Sequence, residues 1–175
     1  KSLRKVKIIK LFVMRIYLKT TPNKESVYFN YQPLLTGVLH KWLGENDIHG
    51  ELALHSFSWL QGSKKINDTL EFKHGATFFI SFYDVTNIRQ IIKNIRVEPE
   101  LFHGMVVKDI IIGDNPDLSD KDNFMLGSPV FVRRGIEGKD IHYSYEDVNV
   151  GRLMEETLRN KMRKAGIPDD ATLQI

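Results

Sequence analysis

Cysteine is absent from all 175 residues of the sequence. This excludes disulfides, thiolate catalysis and cysteine-ligated zinc, and nothing points to an oxidising compartment. Long apolar runs are also missing, since no stretch approaches the roughly 20 residues that cross a bilayer. Lys10 interrupts the N-terminal apolar residues well before they reach the roughly 7–15 of a signal-peptide core. We therefore expect a cytoplasmic protein.

The remaining composition is typical of a globular protein. Hydrophobic residues make up 42% of the chain and aromatic residues 10%, which is enough to fill one sizeable core or two small ones. The formal net charge of +3 suits an anionic partner but is common among ordinary proteins. Charge alone therefore does not identify a partner.

A strand and an amphipathic helix are predicted first. Residues 15–19 alternate and are rich in β-forming side chains, which favours a strand. Apolar residues then recur at helical spacing from Tyr31 to Trp42, with Asn30 as the expected N-cap and Gly44 just beyond the end.

The following patterns complete an α+β unit. Aromatic and β-branched residues predict strands at 54–60 and 76–83, with a short hairpin strand at 68–72 between them. A helical stripe from Ile88 to Ile95 and a buried strand at 105–112 follow. The order strand, helix, strand, strand, helix, strand predicts a ferredoxin-like (βαββαβ) antiparallel sheet with both helices on one face.

A second unit of the same kind is expected to begin afterwards. Residues 128–133 are predicted to form a strand, residues 150–162 a helix that ends before Gly166, and residues 171–175 the next strand. We therefore predict an N-terminal extension at 1–13, with a longer first strand as the alternative, a first ferredoxin-like domain at 14–126, and the beginning of a second, incomplete one at 127–175.

Four short stretches carry a resemblance to a known family. In their order and spacing they resemble the CRISPR-associated endoribonucleases of the RAMP superfamily, the Cas six family, which process repeat RNA and carry two ferredoxin-like domains in tandem. The stretches are Met14-Arg15-Ile16, Asn30-Tyr31-Gln32 through Gly37-Val38-Leu39-His40, His49 followed by Phe57-Ser58-Trp59, and Gly127-Ser128-Pro129-Val130.

The resemblance implies three catalytic residues. The family places a tyrosine or histidine on the first helix, a histidine in the next loop and a lysine or histidine near the second strand, which correspond to His40, His49 and His55. It implies cleavage of CRISPR repeat RNA without a metal or other cofactor, by 2′-hydroxyl attack that leaves 2′,3′-cyclic phosphate and 5′-hydroxyl ends. Other CRISPR-associated proteins and a second copy of the chain are further partners to consider, and no membrane is expected.

The residues themselves leave alternatives open. His40 lies about half a turn away from the apolar stripe of its helix, so it is a catalytic candidate or a solvated surface histidine. His49 lies in a polar loop, and His55 shares a strand face with Phe57 and Trp59, which also suits a packed sheet histidine. A zinc site is disfavoured because these histidines form no close pair and no carboxylate lies at a motif spacing.

Cations in the second unit are the expected RNA contacts. Arginine guanidinium groups neutralise phosphates, although a solvated helix face explains the same pattern. The predicted RNA-binding residues are Arg133, Arg134, Arg152, Arg159 and Arg163.

Two other functions remain possible for such a chain. One is a RAMP-type RNA-binding or scaffold subunit without catalysis, and the other is a ferredoxin-like small-molecule binder. Discrete cleavage of repeat RNA would indicate the endoribonuclease, and binding of RNA that stays intact would indicate the RNA-binding subunit. Neither cleavage nor binding would indicate the small-molecule binder.

Overall fold

The computed structural model describes residues 14–44, 54–83, 85–114, 123 and 132–168. The chain divides into two compact units, Lys1–Asn115 and Pro116–Ile175. The predicted domain boundary between residues 126 and 127 and the predicted extension at 1–13 lie outside the described residues.

The first unit is built around a four-stranded antiparallel sheet. Its strand order is β3-β6-β1-β7, and with the two helices it follows the predicted order of strand, helix, strand, strand, helix, strand. The elements of this unit are β1 (Met14–Thr20), β2 (Val27–Tyr28), α1 (Gln32–Leu43), β3 (His55–Phe57), β4 (Lys64–Ile66), β5 (Thr69–Glu71), β6 (Thr77–Phe82), α2 (Val85–Val97) and β7 (Val107–Asp114).

Both helices cover the same face of this sheet. Alternation in β1 buries Ile16 and Leu18, and alternation in β6 buries the residues that pair with them. The apolar stripes of α1 and α2 belong to the same buried cluster, and the two helices contact each other. The buried helical residues of this cluster are Leu35, Leu39, Trp42, Leu43, Ile88, Ile91 and Ile95.

Two details of the predicted unit are wrong. The strand β7 is not buried throughout, because it lies at the edge of the sheet and leaves Ile111 and Ile112 exposed by 46% and 53%. The N-cap of α1 is Tyr31 rather than Asn30, and it makes no side-chain capping bond. The Tyr31 side chain packs in the core instead, where it is 2% exposed.

A second, smaller sheet was only partly predicted. Its three strands have the order β2-β5-β4, with Val27 paired to Leu70 and Lys65 paired to the same leucine from the other side. The predicted strand at 68–72 is found as β5, whereas β2 and β4 were not predicted. These strands come from two separate connections of the main sheet, one before α1 and one between β3 and β6.

The second unit contains a hairpin and a helix. The strands β8 (Val132–Ile136) and β9 (Lys139–Tyr143) pair around Glu137 and Gly138, and α3 (Val150–Lys164) follows. Both turn residues have positive φ, 51° and 76°, as a tight two-residue hairpin turn requires. The predicted strand at 128–133 overlaps β8 only at its end, and β9 was not predicted. The rest of that strand and the one at 171–175 lie outside the described residues.

The helices in the described part of the chain are α1, α2 and α3. None of these helices combines the length and the apolar content needed to cross a bilayer.

Candidate active site

His40 lies in the last turn of α1, on its exposed side. Leu35 and Leu39 are buried in the core, whereas His40 is exposed, so the predicted outward orientation of His40 is confirmed. The backbone carbonyl of His40 accepts a hydrogen bond from Gly44 N–H at 3.1 Å, which ends the helix. The imidazole is thus accessible to a large substrate.

The end of α1 is held firmly by α2 and the segment after it. Trp42 is fully buried, and its Nε1–H donates to the carbonyl of Glu98 at 2.7 Å. In return, the Asn94 side-chain amide donates to the carbonyl of Trp42 at 2.7 Å. These bonds fix the backbone of the turn that carries His40, and supporting contacts of this kind keep a functional side chain in place.

Tyr31 holds the other end of α1. Its hydroxyl oxygen accepts a hydrogen bond from the buried N–H of Leu60 at 3.0 Å, and its ring stacks on Phe102 with centroids 6.0 Å apart. Burial raises the pKa of the Tyr31 hydroxyl above its ordinary value of 10.0, and the Leu60 hydrogen bond partly opposes this shift. Tyr31 is therefore a neutral anchor that ties α1 to the chain just after β3.

His55 is the first residue of β3 and is half-buried. It pairs with Phe82 across the sheet, and the two ring centroids are 5.9 Å apart at an angle of 37°. One side of the imidazole is thus packed, while part of it remains exposed. The structure is compatible with both the packed-histidine interpretation and the catalytic one.

His49 lies outside the described residues. The helix α1 ends at Leu43 and β3 begins at His55, so the segment that carries His49 joins the two elements that carry the other two histidines. The two elements that flank this segment are both held in place, α1 by the bonds of Trp42 and β3 by its pairing with β6.

The other described histidines do not join these candidates. His74 and His142 are exposed, as predicted, and His103 is half-buried with its Nδ1 3.3 Å from a Glu25 carboxylate oxygen. Among the described residues, no three histidine, aspartate or glutamate side chains come together as a metal-binding group.

Arg134 has a role within the second unit that the sequence did not predict. Its guanidinium donates to the carbonyl of Leu153 at 2.8 Å and to Thr157 Oγ1 at 2.9 Å, and it lies 3.7 Å from a Glu156 carboxylate oxygen. The guanidinium therefore clamps β8 to α3. A contact between Arg134 and RNA would compete with these bonds.

The other predicted arginines differ in their accessibility. Arg133 is exposed and lies 3.3 Å from Asp140. Arg152, Arg159 and Arg163 are spaced by seven and four residues on α3, so they lie on one side of the helix. Arg152 and Arg163 are exposed, whereas Arg159 is held by Glu155 at 2.7 Å. Glu155 and Glu156 lie between Arg152 and Arg159 in sequence, so this side of α3 carries both charges, and phosphate binding by its arginines stays a prediction.

The chain resembles solved structures rather than known sequences. No protein-family model and no curated protein sequence matches the chain. Solved structures do match: a Cas6-related protein from Pyrococcus furiosus aligns with a TM-score of 0.67 at 19% identity, covering 89% of this chain and 73% of that one. The chain has the fold of Cas6.

Two further structures agree with this fold. A CRISPR-associated protein Cas6 aligns with a TM-score of 0.65 at 17% identity, covering 87% of this chain and 71% of that one. A RAMP protein described as binding different RNA substrates aligns with a TM-score of 0.62 at 20% identity, covering 86% of this chain and 71% of that one. The similarity of the chain to Cas6 and related RAMP proteins is thus confirmed at the level of the fold.

Proposed function

We propose that this chain is a metal-independent endoribonuclease that cleaves CRISPR repeat RNA, with His40, His49 and His55 as its catalytic residues. The observation that carries the proposal is the Cas6 fold over 87% of the chain, together with a histidine at each of the three positions where the family resemblance implies a catalytic group. The two tandem ferredoxin-like domains, the second beginning at residue 127, belong to the same proposal.

The proposed chemistry needs an acid, a base and positive charge. A base removes the proton from the 2′-hydroxyl, the resulting oxygen attacks the adjacent phosphorus, and an acid protonates the departing 5′-oxygen. Histidine suits both roles because its two protonation states coexist near neutral pH. The exposed imidazole of His40 on a firmly held turn supports a role at the phosphate, and the third histidine would stabilise the developing negative charge when protonated.

Labelled repeat RNA incubated with the full chain in EDTA tests the proposal. We expect one discrete cut with a 2′,3′-cyclic phosphate end, and a rate that varies with pH around neutrality. A matched RNA that is 2′-deoxy only at the nucleotide 5′ of the cut should bind but stay intact, because the nucleophile is missing. Cleavage of the deoxy RNA at the normal rate, or an absolute need for a divalent ion, would contradict the mechanism.

Substitution of single histidines assigns the roles. His49→Ala and His40→Ala should each lower the cleavage rate by about 100-fold or more, the usual scale for losing a general acid or base. The exposed His74 provides the control, since His74→Ala should cleave at the unaltered rate. RNA affinity should stay within a small factor for all three variants, because most contacts are to phosphates and other bases.

A second candidate function is RNA binding without cleavage. It is favoured by the similarity to a RAMP protein described as binding different RNA substrates, and by the half-buried packing of His55 against Phe82. In the same assay, this function predicts a shifted but intact RNA band at every pH.

A further inference from the structure

Three aromatic side chains are exposed around the start of α1. Tyr28, Phe29 and Trp59 have 58%, 45% and 42% of their surface accessible to solvent. Tyr28 and Phe29 lie four and three residues before the first residue of α1, and the Trp59 ring lies edge-on against Tyr31, with centroids 5.7 Å apart. We call these three residues the aromatic rim. Soluble proteins seldom expose several large aromatic rings together unless they contact a partner.

Cations accompany the rim. The Lys65 ammonium lies 5.4 Å from the centroid of the Phe29 ring, within the range of a cation–π interaction. Lys65 belongs to β4, whose three residues, including Lys64, are all exposed. Lys65, from the connection between β3 and β6, thus lies next to an aromatic ring from the connection before α1.

Exposed rings beside lysines fit one chemical class of partner better than others. Unpaired nucleotides stack their bases on aromatic side chains while their phosphates contact nearby cations. A protein partner would favour a continuous apolar surface, whereas here an ammonium group lies over one of the rings. We propose that the aromatic rim with Lys65 binds unpaired nucleotides of RNA by stacking.

The position of the rim relates it to the proposed active site, so this inference rests on the proposed function. Trp59 follows His55 by four residues, and Ser58 and Gln61 still bond to the neighbouring strand through Phe79 and Thr77. At about 3.3 Å per residue, Trp59 lies roughly 13 Å from His55 along the chain. The rim would therefore hold nucleotides that flank the cut rather than the scissile phosphate itself.

Tryptophan fluorescence provides a direct test. The chain has two tryptophans, and Trp42 is fully buried, so quenching by an added base reports on Trp59. We expect titration of the full chain with a ten-nucleotide oligouridine to quench the emission. In parallel, anisotropy of labelled oligouridine should give an affinity that falls about 5-fold or more in Tyr28→Ala and in Trp59→Ala, the range expected for losing one stacked base.

Controls separate this inference from the proposed function. Tyr145 is a comparably exposed ring, with 72% of its surface accessible, but it lies in the other unit, and Tyr145→Ala should bind with unaltered affinity. RNA that binds by anisotropy with no quenching and with equal affinity for all three variants would overturn the rim alone. Absence of any binding to oligouridine would also overturn the rim, whereas the proposed function is tested separately by cleavage of the labelled repeat RNA.

Discussion

The Tyr31 ring is buried, and its hydroxyl oxygen accepts a hydrogen bond from the Leu60 N–H. Among the described side chains, Tyr31 is the acceptor for this buried donor. Replacing it by phenylalanine keeps the ring and removes the acceptor, so a buried donor is left unpaired. We expect Tyr31→Phe to lower the free energy of unfolding by about 1–3 kcal/mol, measured by chemical denaturation at neutral pH. An unchanged midpoint would mean that another acceptor replaces the hydroxyl.

The raised pKa of Tyr31 also predicts a dependence on pH. A group whose pKa is higher in the folded state contributes its full stability below the unfolded value, here 10.0, and loses it as the pH rises through the folded value. The wild-type chain should therefore lose stability above about pH 10 more steeply than Tyr31→Phe. Denaturation of both proteins at pH 8 and pH 11 measures the difference, and parallel losses would contradict the shift.

Two glycines with positive φ differ in their surroundings. A Cβ on Gly75, at φ +83°, would lie 1.9 Å from the Thr20 carbonyl oxygen, whereas a Cβ on Gly138, at φ +76°, would meet no atom within 4 Å. Gly138→Ala should cost about 1–2 kcal/mol of backbone strain. Gly75→Ala adds a backbone clash beside the buried Thr20 and should cost on the order of 4 kcal/mol. Thermal unfolding compares the two, and equal costs would contradict the clash.

At the scale of elements, the attachment of β8 to α3 depends on Arg134. Arg134→Ala removes the charged donor of the bonds to Leu153 and Thr157. The Leu153 carbonyl still accepts from Thr157 Oγ1, so the cost is that of the two lost charge-assisted bonds, about 1–3 kcal/mol. Arg133→Ala is the matched control on the same strand, because its exposed ion pair with Asp140 is worth only about 0–1 kcal/mol. Hydrogen exchange of the α3 amides should increase in the Arg134 variant only. Increased exchange in both variants would contradict the clamp.

Long elements were predictable from the sequence because their patterns are local. The helical spacing of Leu35, Leu39 and Trp42 and the alternation of β1 depend only on neighbouring residues. The short strands β2 and β4 contain two and three residues, too few to carry a period. They form because Val27 and Lys65 both pair with Leu70, which is a long-range contact. The exposure of Ile112 likewise follows from the position of β7 at the edge of the sheet, which the neighbouring residues in the sequence do not reveal.

At the scale of the whole molecule, the sequence predicted which candidate residues are accessible better than what they contact. The outward orientation of His40 follows from its helix, but the anchor beneath it joins Trp42 to Glu98, 56 positions apart. The sequence predicts Arg134 as a phosphate contact together with Arg133, because adjacent cations look alike in a sequence. Its bond to Leu153 spans 19 positions, so only the folded chain separates a packing arginine from a solvent-exposed one.

The two exposed arginines of α3, Arg152 and Arg163, lead to a prediction on salt dependence. If Arg152 and Arg163 neutralise phosphates, each contact releases counterions, and the logarithm of RNA affinity falls against the logarithm of salt concentration with a slope of about 0.7 per contact on single strands. The double variant Arg152→Ser with Arg163→Ser should therefore reduce the slope by about 1.4. Stacking on the aromatic rim contributes little to this slope, since it involves no charge, so Trp59→Ala should shift the whole line downward without tilting it.

Lys93, an exposed cation on α2, serves as the control, and Lys93→Ser should leave the line unchanged. Anisotropy at several salt concentrations measures all four proteins, and equal slopes for the wild type and the arginine double variant would exclude α3 as a phosphate-binding surface.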